Sequence, residues 1–518
     1  MRLAIAALAC VPVWSAAAAQ PRHWVYFEDK GYATEVAERA AIEGLAAAAD
    51  PAQVQRRERR RSLAGLFDAR DLPVSSDYVG QLEGLGLRVH QRSRWLNAVS
   101  VEATPEQLRA AAGLACVARV EPVRGGRRAS VVGDANELLS GAGTRDDYGW
   151  SSEQLHQISL PSVHARGATG QGVVVAVLDT GFVTTHRAFN NPALPLRVRA
   201  SWDFVDNDAV VSVEPGDHPD QHRHGTWILG TLAAYWPGTL VGGAYGAEYI
   251  LCKTEDYASE TPVEEDNYVA GLEWAESLGA DVATSSLGYI DWYTQADLDG
   301  LTAVTTIAVN AATQNGMFCV TAAGNEGNDA NPATSRLIAP ADAFDVITCG
   351  AVDSTGVITW FSSDGPTADG RVKPELLARG LATRTVSSSD NASIAELSGT
   401  SLSTPLVAAA VACLVQERPC RAVGDLRAAL FASASRGGVA DPLGVLGFGI
   451  VNAAASGSPA CPADFNGDGF SDFFDFDAFV VCFEGEGCPA CATADMDGDG
   501  FVDFFDFDAF VAIFEQGC

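Results

Sequence analysis

Positive charge is scarce in this sequence, and more than half of it lies near the N-terminus. The 518 residues contain 34 Lys and Arg against 66 Asp and Glu, a formal net charge of −32. Residues 20–145 carry 18 basic and 16 acidic side chains, whereas residues 146–518 carry 15 basic and 50 acidic ones. Because an acidic surface repels polyanions, we expect neither nucleic acid nor an anionic membrane as a partner. The contrast in charge indicates that the N-terminal part docks on the acidic remainder.

Long apolar runs are absent beyond the first twenty residues. No later run reaches the roughly 18 apolar residues that a membrane-spanning helix needs, so we predict no membrane span. The N-terminus itself reads MRLAIAALACVPVWSAAAAQ. A basic Arg2, an apolar stretch over residues 3–14 and small residues at 17–19 predict a secretory signal over residues 1–19, with a lipoprotein signal at Cys10 as the alternative. We therefore predict a secreted protein.

Cysteine, by contrast, is present and unevenly placed. Five of the twelve cysteines follow residue 460, which in an exported protein indicates disulfides. Cys461 and Cys491 stand near the starts of two repeats and Cys488 and Cys518 near their ends, which leaves Cys482 as the odd thiol.

Four cysteines in the middle of the chain allow different arrangements. Cys413 and Cys420 flank the end of a predicted helix and are candidates to pair. Cys319 and Cys349 lie in apolar strand-like runs, where a buried free thiol and a disulfide are equally compatible with the sequence.

The composition, 47% hydrophobic over 518 residues, is that of a globular protein with about two to four domains. For residues 20–130 the sequence predicts a small α/β unit. Strands are predicted in LRVHQRSRWLNAVSVEAT and VARVEPV, and a helix that begins after Thr104 is predicted in TPEQLRAAAGL. The Gly-rich stretches VRGGRRAS and GAGTRDDYG then predict a cleavable linker over residues 131–149.

Strands and helices alternate over residues 150–458. The runs GVVVAVLD, EYILCKTE, ADVATSSLG, GMFCVTAAGN and FDVITCGAV are apolar without alternation, as strands buried on both faces should be, and helical stretches such as EEDNYVAGLEWAESLG separate them. This rhythm predicts an α/β fold with a doubly wound, mostly parallel sheet. Ligands of such sheets bind at the carboxyl ends of the strands.

Four polar residues mark places where reactive groups would lie in such a fold. Asp179 ends the run VVVAVLD, His224 lies in HRHGTWILG, Asn325 follows a strand in TAAGNEG, and Ser401 precedes an Ala-rich helix in SGTSLSTP. A serine hydroxyl is a nucleophile only when a base takes its proton, and a buried carboxylate can orient that base. The sequence thus offers candidates for a nucleophile, a base and an orienting anion.

Each of these residues also has a structural interpretation. Asp179 could cap a helix or form a turn, and Asn325 could be a left-handed turn residue. His224 could join His218 and His222 in a metal cluster.

The four come in the order Asp, His, Asn, Ser, and with their surroundings they resemble the subtilisin-like serine peptidases (subtilases, peptidase family S8) over residues 150–458. The segments that carry the resemblance are VAVLDTGF, HGTWILG, SSLG, AAGNEG, FSSDGPT and GTSLSTP. Leu402 stands where the family usually has Met, and KPELLARG departs mildly from the family's KPDLVAPG. Neither difference changes a reactive group.

The resemblance implies roles for these residues. Asp179, His224 and Ser401 would be the catalytic triad, and Asn325 the oxyanion donor. The resemblance further implies a substrate-binding edge and one wall of the primary specificity pocket; the residues concerned are Ser286, Leu287, Gly288, Ala323 and Gly324. The N-terminal unit resembles a subtilase propeptide, with an unrelated N-terminal domain as the alternative.

The final segment repeats itself, since ADFNGDGFSDFFDFDAFV (463–480) recurs as ADMDGDGFVDFFDFDAFV (494–511). Oxygen-bearing side chains at loop positions 1, 3, 5, 9 and 12 with Gly at 6 match the spacing of an EF-hand calcium loop, with Asp for the final Glu. Phe470 and Phe501 would offer the backbone carbonyl of position 7. The predicted Ca²⁺ ligands are Asp464, Asn466, Asp468, Asp472 and Asp475 in the first copy and Asp495, Asp497, Asp499, Asp503 and Asp506 in the second.

A solvated acidic tail is the alternative for this segment. However, 13 of the 23 phenylalanines lie in residues 461–518, and a solvated tail would not carry them. Two such loops, each leading into a helix, resemble an all-α dockerin module, and the ending EQGC resembles the Gly-Cys ends of some dockerin-like tails. The resemblance implies a cohesin-like partner and anchoring of the secreted protein at a cell surface.

The sequence therefore predicts a secreted serine endopeptidase that acts on polypeptide substrates, is made as a zymogen and carries a calcium-binding dockerin-like tail. Calcium in the tail is the only cofactor expected, and the chemistry itself needs none. The competing hypothesis is a non-catalytic, calcium-dependent adhesion or scaffold protein on a peptidase fold.

Overall fold

The computed structural model describes residues 22–123, 136–138, 147–257, 265–289, 293–457, 463–465, 471–488, 492–496 and 500–516. Several predictions concern positions outside these ranges. They are the signal segment 1–19 with Cys10, most of the linker, the cysteines 461, 491 and 518, residue Phe470, and the proposed ligands Asn466, Asp468, Asp497 and Asp499.

The strands and helices are numbered in chain order. The strands are β1 (Arg22–Phe27), β2 (Arg88–Ser93), β3 (Ala98–Glu102), β4 (Val117–Pro122), β5 (Asn136–Leu138), β6 (Val174–Asp179), β7 (Arg197–Asp203), β8 (Tyr235–Trp236), β9 (Leu240–Val241), β10 (Glu248–Lys253), β11 (Val282–Ser285), β12 (Phe318–Ala322), β13 (Ile347–Val352), β14 (Leu376–Arg379), β15 (Thr383–Val386) and β16 (Ile394–Leu397). The helices are α1 (Glu35–Ala48), α2 (Pro51–Arg60), α3 (Ser76–Gly84), α4 (Pro105–Ala111), α5 (Ser152–Gln157), α6 (Leu160–His164), α7 (Arg223–Ala233), α8 (Glu265–Ser277), α9 (Val304–Gln314), α10 (Thr400–Glu417), α11 (Val423–Ser433), α12 (Ala453–Ser456), α13 (Phe473–Phe483) and α14 (Phe504–Gln516).

The N-terminal unit is a four-stranded antiparallel sheet with helices against it. Its strand order is β2-β3-β1-β4. Helix α4 begins where the sequence predicts it, because the Thr104 side chain accepts the backbone N–H of Gln107 while the Gln107 side chain accepts that of Thr104. Strands β2, β3 and β4 occupy the segments predicted for them.

The central sheet has seven strands in the order β14-β13-β12-β11-β6-β10-β7, and every neighbouring pair is parallel. This confirms the predicted doubly wound α/β fold. One apolar core lies between the sheet and α7 and α10, and another lies between its opposite face and α8 and α9. The chain moves from one side of β6 to the other between β10 and β11, so the carboxyl end of β6 lies where the strand order reverses.

Helix α10 is the most apolar helix of the central domain. By length and composition it is the one helix of the described residues that could cross a membrane, but 89% of it is buried inside the protein. It therefore serves as a core helix against β11 to β14.

The C-terminal segment folds as two helices, α13 and α14, that pack through equivalent residues of the two repeats. Phe479 and Phe510, offset by 31 positions, stack with their ring centroids 4.0 Å apart. Around them the aromatic side chains form a small core that also includes Phe465. The Phe-rich composition is thus used for packing between the repeats.

Two of the cysteine predictions are wrong. Cys482 is not the odd thiol, because it forms a disulfide with Cys488. Cys413 does not pair with Cys420: Cys413 is a free thiol buried within α10, whereas Cys420 is disulfide-bonded. The reason is that α10 continues to Glu417 and keeps Cys413 facing the core near the Gly243 carbonyl.

Of the two alternatives for the strand cysteines, the free thiol is confirmed. Cys319 in β12 and Cys349 in β13 are both buried and unbonded. Burial raises the pKa of each thiol, so both behave as small apolar core residues.

The N-terminal unit docks on the central domain through buried charge pairs. Three arginines of α2, Arg56, Arg57 and Arg60, are between 1% and 4% exposed. Arg56 and Arg57 form ion pairs with Glu276 at the end of α8, and Arg60 pairs with Asp281 before β11. These ion pairs join the basic N-terminal part to the acidic remainder, as the difference in charge predicts.

Backbone carbonyls complete this arginine cluster. Arg56 donates to the carbonyl of Ala280 at 2.7 Å, and Arg60 donates to those of Gly316 at 3.0 Å and Pro419 at 2.9 Å. Burial would raise the pKa of Glu276, but Arg56, Arg57 and Arg94 outweigh it and lower that pKa to about 2. Glu276 is therefore the single anion that several buried cations share.

We expect Glu276→Ala to lower the free energy of unfolding of the full chain by about 3–5 kcal/mol at neutral pH, because it leaves the buried Arg56 without its ion-pair partner and Arg57 with Asp71 alone. The matched control is Glu83→Ala, which removes an exposed carboxylate 4.0 Å from Arg92 and should cost less than about 1 kcal/mol. Urea unfolding measures both. The stabilisation by Glu276 should be lost as the pH falls from its ordinary pKa of 4.5 to about 2. Equal effects of the two variants would show that the cluster does not hold the unit.

Candidate active site

The predicted base and its orienting anion meet at the end of β6. Asp179 is the last residue of the strand and is fully buried, and His224 is the second residue of α7. The His224 Nδ1–H donates to Asp179 Oδ1 at 2.7 Å. The same oxygen accepts the backbone N–H of Thr180 at 2.7 Å, which stabilises the carboxylate in its buried position.

Two glycines make this close approach of α7 to β6 possible. A Cβ on Gly225 would lie 2.3 Å from the carbonyl oxygen of Gly181 and 3.1 Å from the Cβ of Asp179. Gly181 itself adopts φ +126°, a left-handed conformation that a side chain disfavours. Hence Gly181, just after the strand, and Gly225, at the start of the helix, are the glycines that this contact requires.

Ser401 lies at the start of α10. It is the second residue of that helix and fully buried, and the helix is capped by Gly399 at φ +154°. Its hydroxyl donates to the carbonyl of Ser286 at 3.3 Å, and the Ser286 hydroxyl donates to the Ser401 carbonyl at 2.8 Å. The N–H groups of a first helical turn lack intrahelical acceptors and point outward along the axis.

Asn325 is held by the residue that precedes Ser401. Its Oδ1 accepts both the backbone N–H and the hydroxyl of Thr400, each at 2.9 Å. With the oxygen engaged in this way, the NH₂ group is the donor end of the carboxamide. Asn325 follows Gly324, which has φ +116°. The structure thus brings the ends of β12 and α10 together.

The predicted substrate-binding residues follow β11 and β12, two neighbouring strands. Ser286 and Leu287 are fully buried, and the next residues pair with another segment because Tyr289 and Ala339 exchange backbone hydrogen bonds of 2.9 and 3.0 Å. Ala323 also accepts a hydrogen bond, from the backbone N–H of Ile338 at 3.2 Å. Both proposed walls are therefore tied to residues 338–339.

The alternative of a histidine metal cluster finds no support in the described residues. His224 is bonded to Asp179, and His218 stacks on Tyr257 with ring centroids 4.5 Å apart. His222 is the first-turn neighbour of His224, and burial lowers the pKa of its ring. No grouping of these three histidines is compact enough to hold a metal ion in the described part of the chain.

A cluster of three carboxylate side chains, which the sequence analysis missed, lies beside the site. Asp203, Asp208 and Glu214 have oxygens within 4.8 Å of one another. Asp208 and Glu214 also border a cavity of about 470 Å³. Lys253 at the end of β10 pairs with Asp203 at 2.7 Å, so an ammonium already neutralises part of this charge. The position of Lys253 at the end of the apolar run EYILC is the sequence signal for a buried lysine.

Strand β5, within the predicted linker, pairs with the strand that leads to Ser401. Residues 136, 137 and 138 lie antiparallel to Glu396, Ala395 and Ile394 of β16. The connection from the N-terminal unit therefore adds an edge strand three to five residues before Gly399.

Six of the ten predicted calcium ligands are described residues. The last ligand of each loop, Asp475 and Asp506, is buried at 0% and 1% exposure. Each accepts the backbone N–H of the position-9 residue of its own loop, from Asp472 at 2.9 Å and from Asp503 at 2.8 Å. Buried carboxylates need hydrogen bonds or cations, and the segment 461–518 has no Lys or Arg of its own. These oxygens fit a hard cation such as Ca²⁺.

The remaining two described ligands lie at the loop starts. Asp464 is half-buried, and Asp495 accepts the backbone N–H of Gly500 at 2.9 Å, which draws the second loop closed around position 6. The two repeats thus place their first, ninth and twelfth positions in matching local environments.

Comparison with known proteins identifies families for two parts of the chain. Residues 170–449 match the model of the subtilase family, peptidase S8. Residues 22–133 match the model of the peptidase S8 propeptide domain of Bacteroidota.

Individual relatives agree with the family matches. The chain is 32% identical to Subtilisin BL of Lederbergia lenta over 303 residues, which are 58% of this chain and 97% of that protein. It is 32% identical to Subtilisin E of Bacillus subtilis (strain 168) over 266 residues, 51% of this chain and 61% of that protein.

A solved structure extends the comparison of the fold. The crystal structure of fervidolysin from Fervidobacterium pennivorans, a keratinolytic enzyme related to subtilisin, has a TM-score of 0.56 and 20% identity. The similarity covers 85% of this chain but 61% of that one, so this chain spans less than two thirds of the fervidolysin chain.

Proposed function

Because this chain belongs to the subtilase family of serine peptidases, we propose that it hydrolyses internal peptide bonds of polypeptides through an acyl-enzyme on Ser401. The observation that carries the proposal is the 2.7 Å hydrogen bond from His224 to the fully buried Asp179 at the carboxyl end of β6. This bond engages Nδ1 and leaves Nε2, which has no hydrogen-bond partner among the described residues, as the basic nitrogen of the ring.

In the proposed reaction each catalytic group acts once in the formation of the acyl-enzyme and once in its hydrolysis. His224 Nε2 takes the hydroxyl proton of Ser401 while Oγ attacks the substrate carbonyl carbon, and Asp179 stabilises the resulting imidazolium. The oxyanion accepts hydrogen bonds from the Ser401 backbone N–H and the Asn325 NH₂ group. His224 then protonates the leaving amine, and water repeats the sequence to release the acid. No metal takes part in these steps.

The competing hypothesis is a non-catalytic adhesion or scaffold protein. It requires the same fold but no reactive serine. The hydrogen bond between Asp179 and His224 favours the enzyme, since adhesion gives no reason to place a bonded Asp–His pair at a strand end.

We also propose that the protein is a secreted zymogen. Residues 20–130 would be the propeptide, 131–149 the linker that contains the cleavage site, 150–458 the peptidase domain and 461–518 the dockerin-like domain. The propeptide-family match over 22–133 and the pairing of β5 with β16 support this division. Secretion rests on the pattern of residues 1–19.

The C-terminal segment is proposed to bind two calcium ions and to dock on a cohesin-like partner. The ligands would be the ten residues named from the repeat, and their role would be to hold each loop in the conformation that starts α13 or α14. The EF-hand spacing and the buried Asp475 and Asp506 support calcium; the cohesin-like partner rests on the resemblance alone.

We expect Ser401→Ala to abolish hydrolysis of peptide substrates and labelling by a fluorophosphonate probe, while the protein still folds. The matched control is Ser403→Ala, since Ser403 is a buried hydroxyl of the same turn that donates to the Thr400 carbonyl at 2.8 Å. It should keep both activity and labelling.

The same Ser401→Ala protein should accumulate with residues 20 to about 145 attached, because maturation is proposed to be autocatalytic. Mass spectrometry of the secreted protein measures this. Near wild-type turnover in Ser401→Ala would contradict the nucleophile assignment, and normal trimming would point to an external protease.

We expect Asn325→Ala to lower kcat by about 10²- to 10³-fold with little change in KM, the effect known for such donors in subtilisins, because the bond to oxygen forms in the transition state. Thr400→Val removes one of the two donors that hold the Asn325 oxygen and should lower kcat less, in the same direction. Steady-state kinetics on one peptide substrate tests both. A rise in KM alone would exclude the oxyanion role of Asn325.

We expect the full chain to bind two calcium ions in its tail and to lose both in Asp468→Ala with Asp499→Ala, with hydrolysis of small peptides unchanged. The matched control is Asp477→Ala with Asp508→Ala, which removes the same charge from exposed positions outside the proposed ligand sets. Calorimetry with calcium and then magnesium measures the sites, and magnesium should bind poorly because it holds its water. Equal calcium uptake by both double variants would refute the assignment.

A further inference from the structure

We propose that Ile338 fills the pocket for the substrate side chain on the acyl side of the cleaved bond, so that the enzyme cleaves after small residues. The inference rests on the proposed peptidase function and concerns which substrates it accepts. It assigns a specificity role to a residue that none of the sequence motifs contains.

The evidence is a close contact between Ile338 and the glycines of both proposed pocket walls. A Cβ on Gly288 would lie 2.0 Å from Cδ1 and 2.3 Å from Cγ1 of Ile338. A Cβ on Gly324 would lie 3.2 Å from Cγ2 and 3.3 Å from Cγ1 of the same side chain. The branched end of Ile338 therefore occupies the space toward which Gly288 would project a side chain. In front of Gly324 it shares the space with the Ser363 hydroxyl, whose oxygen would lie 2.6 Å from that Cβ.

Backbone hydrogen bonds keep this side chain in place. The Ile338 N–H donates to the Ala323 carbonyl on one wall, and the next residue, Ala339, exchanges two hydrogen bonds with Tyr289, which follows the other wall. Ile338 is 3% exposed, and its β-branched side chain has few allowed rotamers. The bonds fix the backbone of residues 338–339 between the two walls, and burial and β-branching restrict the side chain to few rotamers.

The consequence for substrates follows from volume. The walls end in glycines and would leave room for a large side chain, but the gap between them is taken by four apolar carbons of Ile338. A small substrate side chain needs no more space, whereas an aromatic one would have to displace a packed group, which close-packed interiors resist.

The experiment compares kcat/KM for two peptide anilides that differ only in Ala or Phe before the cleaved bond. The wild-type enzyme should prefer Ala by about tenfold or more, in line with the 10- to 200-fold effect of a methylene in an apolar pocket. Ile338→Gly should raise kcat/KM for Phe by about tenfold or more and lower the Ala-to-Phe ratio accordingly. Ile338→Ala, a smaller change, should shift the ratio in the same direction.

The matched control is Ile158→Ala, which truncates a fully buried isoleucine between α5 and α6, remote in the fold from the proposed walls. It should leave the Ala-to-Phe ratio unchanged. A wild-type preference for Phe, or an unchanged ratio in the Ile338 variants, would overturn the inference while the peptidase function stands. Absence of hydrolysis of both substrates, with no probe labelling of Ser401, would overturn the proposed function and this inference with it.

Discussion

The hydrogen bond between His224 and Asp179 constrains the structure on both sides of it. Asp179 is fully buried, so its charge needs the Thr180 N–H as well as the imidazole. The imidazole reaches it only because α7 begins directly over the end of β6, and this approach excludes a side chain at residue 225. The end of β6 in turn lies between β10 and β11, where the sheet reverses its order. One polar contact thus depends on strand order, helix placement and a glycine together.

The interface between the N-terminal unit and the central domain also buries charged side chains, but here they are cations. Here the buried groups are arginines of α2, and each is matched by a carboxylate or by backbone carbonyls at the ends of α8 and α9. Such pairs add little net stability compared with apolar contacts, but removing one member is costly. They therefore select one docked position of the unit on an acidic surface. The difference in charge between residues 20–145 and the rest of the sequence reflects this docking of a basic unit on an acidic surface.

Local patterns predicted the strands and the positions of the site residues, whereas contacts between distant segments escaped them. Asp179 ends β6 and Thr400 starts α10 as the motifs indicate, because apolar runs and small residues are local signals. The bond from Thr400 to Asn325 spans 75 residues, and the ion pair from Arg56 to Glu276 spans 220. The predicted pairing of Cys413 with Cys420 was wrong for the same reason: closeness in sequence does not show that Cys413 faces the core within α10 while Cys420, beyond the helix end, bonds elsewhere.

The groups proposed for chemistry and those proposed for selectivity lie on different elements. The proposed base and its anion come from α7 and β6, and the proposed nucleophile from α10. The proposed pocket comes from the ends of β11 and β12 and from Ile338. A change of side chain at residue 338 can therefore alter pocket volume without moving the Asp179–His224 bond. The arginine cluster is a third, separate set, on the face of the sheet that α8 and α9 cover. Strand β5 makes a different contact, because it pairs with β16, the strand before Ser401.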